Sequence, residues 1–172
     1  MKLRILLYIT LSFAFKSFAA DRKYQLTSPD KKLSLSIATG DSTTYTLSYN
    51  RLNVVLPSTI SMKLEQTELG RGVIVSKASS KHSKDFNELV LNIQGNYSII
   101  FRAYNEGIAY RFVTNLEDSI KVIREQAEFN FAKSPAAYLQ ETDNYTTWEG
   151  PYIKYVSTDM IVNGKRATTP AL

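Results

Sequence analysis

The 172-residue chain contains no cysteine and a single histidine. The first absence excludes disulfides, thiolate metal sites and a cysteine nucleophile. The second excludes paired-histidine metal motifs. Any Ser-His-Asp triad would depend on His82, which lies in the polar stretch SSKHSKD and reads as a surface residue. Nucleotide signatures are missing as well: there is no GxxxxGK before Ser or Thr and no GxGxxG after a strand, and Gly70-Arg71-Gly72 reads as a turn. No calcium loop of the EF-hand kind is present. Beyond residue 20, no segment repeats apolar residues at i, i+3, i+4 and i+7 for three turns, so long amphipathic helices are not expected.

The longest apolar run, Ile5 to Phe15, is too short for a bilayer span, which needs about 20 residues. Lys2 and Arg4 precede it, and Ser17-Phe18-Ala19 follows with small residues at the −3 and −1 positions of a cleavage site. Residues 1–20 therefore read as a signal peptide. The expectation is an exported, periplasmic protein with no stable membrane span. Losing that segment removes Lys2, Arg4 and Lys16 and no acid, so 21 basic residues become 18 against 16 acidic ones, a balance of +2. The remaining basic residues are scattered pairs such as Lys31-Lys32 and Lys165-Arg166. Nothing forms a basic stripe, and no nucleic-acid partner is expected.

What is present is strand after strand. KLSLSI places Leu33, Leu35 and Ile37 on one face, and YTLSY does the same with Tyr45, Leu47 and Tyr49. TISMKL alternates Ile60, Met62 and Leu64. ELVLNI and YSIIFRAY, joined by Gln94-Gly95-Asn96, predict an antiparallel hairpin, and Gly107 is expected to supply a positive φ in the next turn. Turn signals every 8 to 12 residues or so predict an all-β fold of antiparallel sheets packed as a sandwich. With no cysteine staples, the roughly 150 residues after the signal must bury one core.

Near the end, Asn163-Gly164 predicts a hairpin with a strand before it and a returning strand from Lys165. That strand would end at Leu172 as an unprotected edge. The expectation is a sandwich truncated at its C-terminus, a portion of a longer protein.

One stretch breaks the alternation. ETDNYTTWEGPY, from Glu141 to Tyr152, crowds Glu141, Asp143 and Glu149 among Tyr145, Trp148 and Tyr152, with Gly150-Pro151 stiffening the backbone. Aromatic faces with polar tips can stack on sugar rings. Carboxylates can accept sugar hydroxyls or bind a hard cation such as Ca²⁺, and paired ones carry out glycoside hydrolysis. Composition alone favours a packing role for Trp148 and Tyr152 over a binding role.

A resemblance adds to that reading. SPDKKLSLSI, YNEGIAYRF (Tyr104 to Phe112) and WEGPY followed by TTPAL, in this order and spacing, resemble the N-terminal domain of glycoside hydrolase family 97, bacterial α-glucosidases and α-galactosidases. The resemblance implies a large β-sandwich, the super-sandwich type, over residues 21–172, preceding a (β/α)₈ catalytic barrel that these residues do not include. It implies that the sandwich shapes the pocket for an α-linked oligosaccharide and contributes a glutamate to a Ca²⁺ site. In the Trp148-Glu149-Gly150-Pro151-Tyr152 segment, Glu149 matches that ligand, and Trp148 and Tyr152 flank it as substrate-binding residues. Trp148 stands where the family carries Tyr. No catalytic residue is assigned within the chain, which by itself is expected to be inactive. Asn105 and Arg111 are expected to be structural, Asn105 in the turn and Arg111 pairing across strands or holding the loop at Glu141 to Asp143. The alternative is a stand-alone periplasmic carbohydrate-binding sandwich without catalysis.

Overall fold

In the computed structural model, residues 22–116, 119–143 and 150–168 are described. They form twelve β-strands and one short 3₁₀ turn, with no α-helix among them. The all-β expectation is met, and every strand pairing is antiparallel.

The first sheet runs in the order β1 (Arg22–Thr27), β2 (Leu33–Thr39), β3 (Thr43–Tyr49), β4 (Leu52–Leu64) and β10 (Val122–Ala127), with β5 (Glu68–Leu69) also paired to β4. The second is a meander of β6 (Val75–His82), β7 (Phe86–Ile93), β8 (Tyr97–Tyr104) and β9 (Ile108–Thr114). Each strand buries alternate residues because side chains point to opposite faces with period two. Leu35 and Ile37 of β2 share one core with Leu89, Leu91 and Ile93 of β7 and Ile99 and Phe101 of β8, and Leu33 is buried at the start of β2. Burying each such side chain stabilises by about 1.5–3 kcal/mol.

The two sheets are joined where Gly70 to Val73 cross between them. Gly70 accepts at its carbonyl from the Thr43 N–H (2.8 Å) and donates to the Tyr97 hydroxyl (3.1 Å), while the Val73 N–H reaches the Gly40 carbonyl (2.6 Å). Gly70 has φ +85°, and a Cβ there would sit 2.7 Å from the Ile60 carbonyl oxygen. Only glycine satisfies both conditions. Buried Asn87 makes a second tie by donating to the Thr27 carbonyl (2.8 Å).

The predicted hairpin of ELVLNI with YSIIFRAY is present, and the strands carrying KLSLSI and YTLSY pair as another. Three details differ. Tyr45, Leu47 and Tyr49 do share one face of β3, opposite Ile37, Leu35 and Leu33, but only Tyr45 is buried, and Tyr49, the last residue of the strand, is exposed. Gly107 does not have a positive φ. The turn it closes is a compact four-residue one, with the Tyr104 N–H donating to the Gly107 carbonyl (2.8 Å). Gly164 does turn with φ +88°, but residues 165–168 return onto 140–142, not onto the segment just before the turn. That preceding segment is the 3₁₀ turn Thr158–Met160, capped by the Ser157 hydroxyl.

Asp30 and Asn105, from two of the motif segments, meet in space. The Asp30 N–H donates to the Asn105 side chain (3.0 Å), so the β1–β2 and β8–β9 turns brace each other. The structural role expected of Asn105 is the one observed.

Candidate functional site

The ETDNYTTWEGPY stretch leaves and re-enters a small ribbon. β11 (Ala137–Leu139) pairs with β12 (Ile153–Tyr155) through Ala137–Tyr155, Tyr138–Lys154 and Leu139–Ile153. Of the residues singled out in the sequence, Trp148 and Glu149 lie outside the described residues, as does Tyr145. Tyr152 stands just ahead of β12 with 43% of its surface exposed. Asp143 is exposed. Gly150 lies against Gln140, whose amide nitrogen would be 3.4 Å from an added Cβ.

The ribbon is held by Glu141. Its carboxylate accepts from the Tyr155 hydroxyl on one oxygen and from the Lys165 ammonium on the other, the latter at 2.6 Å. The side chain is only 16% exposed. Lys165, and after it the Tyr155 hydroxyl, hold the Glu141 carboxyl below the ordinary carboxylate value of 4.5. The same contact raises the Tyr155 phenol and the Lys165 amine above their ordinary values. Backbone pairing follows the side chains: Glu141 bridges Ala167, the Thr142 N–H donates to the Arg166 carbonyl (3.1 Å), and the Thr168 N–H to the Gln140 carbonyl (3.0 Å). Below the ribbon, the Ser134 hydroxyl contacts those of Ser157 (2.6 Å) and Thr158 (2.8 Å).

Arg111, expected either to pair across strands or to hold this loop, is exposed on β9, where it pairs across to Ile100 of β8. Lys165 holds the loop. Neither Lys165 nor Tyr155 stands out in the sequence, because nothing local signals a contact between residues 24 positions apart. His82 is exposed at the end of β6, as expected.

Calcium takes oxygen ligands, six to eight of them. Glu141 does not fit that role here, since a cation would have to displace an ammonium already neutralising it. No grouping of three or more acidic or histidine side chains occurs among the described residues.

A cavity of about 560 Å³ opens at one end of the sandwich between Leu64, Thr67, Asn96, Asn115 and Lys121. The charged groups at its mouth, Lys121 and Glu65, pair with each other at 3.3 Å. It offers no cluster of reactive groups.

The described residues thus form an antiparallel sandwich followed by a two-stranded ribbon. The sequence model of the glycosyl-hydrolase 97 N-terminal domain matches residues 26–172, and the chain belongs to that family. It is similar to a retaining α-galactosidase of Bacteroides thetaiotaomicron, with 32% identity covering 70% of this chain and 21% of that protein. Among solved structures, it resembles a family 97 glycoside hydrolase of Pseudoalteromonas sp. strain K8 in complex with panose (TM-score 0.63, 17% identity, 77% of this chain and 24% of that one). A β-arabinopyranosidase is similar at TM-score 0.67 and 20% identity, over 76% of this chain and 26% of that one. The chain thus spans about a fifth of its curated relative and a quarter of the solved enzymes.

Proposed function

We propose that this domain shapes the saccharide pocket of a larger exported glycoside hydrolase acting on α-glucosides or α-galactosides. The observation that carries the reading is the family match running through the ribbon and its insert to residue 172. In this reading Glu149 gives one carboxylate to a calcium ion beside the scissile bond, and Trp148 and Tyr152 face the sugar. The general acid, and the base or nucleophile, belong to a (β/α)₈ barrel outside these 172 residues. When bound, the ion would orient substrate oxygens and sharpen the acidity of neighbouring groups.

Exposed apolar side chains support a docked neighbour. Leu52, Val54 and Leu56, alternate residues of β4, stay accessible to solvent, and grouped exposed apolar side chains mark interaction surfaces. Residues 1–20 act as the export signal, so the periplasmic form begins at or next to Asp21. The intact mass of the exported protein checks this.

The main test expresses the chain with whatever follows Leu172 in its gene and measures hydrolysis of p-nitrophenyl α-glucoside and α-galactoside with and without EDTA. Activity lost to EDTA and restored by Ca²⁺, with Glu149→Gln demanding on the order of tenfold more calcium, supports the reading. A downstream sequence without strand–helix alternation would sink it. In that case, saccharide binding by the chain alone would favour a carbohydrate-binding sandwich without catalysis.

A further inference from the structure

The two faces of the β11–β12 ribbon differ in chemistry. Tyr138 and Lys154 pair on one face, with the Lys154 ammonium 5.7 Å from the Tyr138 ring, and Tyr152 leads into the strand that carries Lys154. The other face carries Ala137, Leu139, Ile153 and Tyr155, and beyond the end of β11 comes Glu141, which Tyr155 meets. The ribbon has only three ladder pairs. An isolated two-stranded ribbon is marginal in water even when longer. Something else must fix how β12 enters.

We propose that Glu141 is a positioning residue for saccharide binding at Tyr152: by holding Tyr155 and Lys165 at once, it fixes the course of β12 and so the direction in which the Tyr152 ring faces. The inference rests on the reading above that Tyr152 contacts the sugar.

Glu141 is suited to the role. A carboxylate caught between a hydroxyl and an ammonium makes charge-assisted hydrogen bonds, about twice as strong as neutral ones. Lys165 is 45% exposed, so solvent screens the ion pair, and the Tyr155 hydrogen bond is the better shielded of the two. It anchors two chain segments at once, the strand at 153–155 and the return at 165–167, so neither can shift independently. None of these partners belongs to β1–β10, so the clamp is separable from the sandwich core. An error of about an ångström in a binding group is enough to weaken a complex measurably.

The test uses the chain together with the residues that follow Leu172 in its gene, with maltose and melibiose as probes of α-glucoside and α-galactoside binding. Tyr152→Ala, Glu141→Gln and Tyr155→Phe are compared by KM, kcat and thermal midpoint. The expected result is a KM raised about tenfold by Tyr152→Ala and roughly three- to tenfold by Glu141→Gln and Tyr155→Phe. In the last two, kcat stays within about twofold and the main unfolding transition, that of the sandwich, stays in place. Glu141→Asp should recover part of the loss. If Tyr152→Ala raises KM and the other two do not, the positioning role is wrong while the binding role of Tyr152 stands. If Tyr152→Ala has no effect, the binding role fails and the inference with it. Should Glu141→Gln unfold the ribbon, Tyr155→Phe, which removes one hydroxyl, decides.

Discussion

At the scale of single residues, Gly70 and Thr43 show opposite relations to the core. Gly70 combines a left-handed φ with backbone packed against it, and backbone cannot swing aside. Gly72, two residues on, has φ +57° but open space where a Cβ would go. Gly70→Ala should therefore cost at least about 3 kcal/mol and Gly72→Ala about 1 kcal/mol, which urea denaturation would resolve. Thr43 is fully buried, and its hydroxyl has no hydrogen-bond partner among the described residues. Valine has the same shape without the unsatisfied group. Thr43→Val should raise stability by about 1 kcal/mol, seen as a rise of about 2–4 °C in the melting midpoint. A fall in the midpoint would mean that the hydroxyl is satisfied.

At the scale of elements, carboxylates fasten the turns and edges. The Ser28 hydroxyl and the Lys32 N–H lower the Asp30 pKa in the β1–β2 turn, and the Ser61 hydroxyl lowers that of Glu68 on β5. The Thr59 N–H on β4 does the same for Glu128, as Lys165 and Tyr155 do for Glu141 at the ribbon. Each folded-state pKa lies below the unfolded values of 3.8 for Asp30 and 4.5 for the glutamates. The unfolded chain therefore binds more protons in that interval. The stability these contacts contribute is complete above about pH 5 and is lost as the pH falls through the depressed folded-state values. A series of thermal melts from pH 7 to 3 should show the midpoint holding and then dropping, and Glu141→Gln should flatten only the part due to the ribbon. A midpoint that rises as pH falls would contradict the assignment.

At the scale of the whole molecule, the sandwich has one core between its sheets, while the ribbon relies on polar contacts. Phe101, at 1% exposure, fills the centre of that core. Phe101→Ala should remove about 3–5 kcal/mol and lower the main unfolding transition. Tyr155→Phe should leave that transition in place and loosen only the ribbon. Hydrogen exchange would separate the two, with fast exchange confined to 137–168 in the ribbon variant.

The sequence by itself determined the class of fold. Period-two alternation at Leu33, Leu35 and Ile37, and again along 86–104, is a local signal that burial enforces, because a one-residue slip would turn every apolar side chain to water. The turn at Gln94 to Asn96 was likewise legible, since Gly95 and Asn96 accept the positive φ it needs. The resemblance through YNEGIAYRF and WEGPY pointed to the family that the sequence match then established. Tertiary structure alone decided the rest. The end of β3 left Tyr49 exposed, a four-residue turn left Gly107 without a positive φ, and the return after Gly164 found its partner at 140–142. It also chose Lys165 to hold Glu141. The physical reason is common to these cases: alternation and turn chemistry act between neighbours in the chain, whereas a salt bridge between residues 24 positions apart exists only once the fold has brought them together.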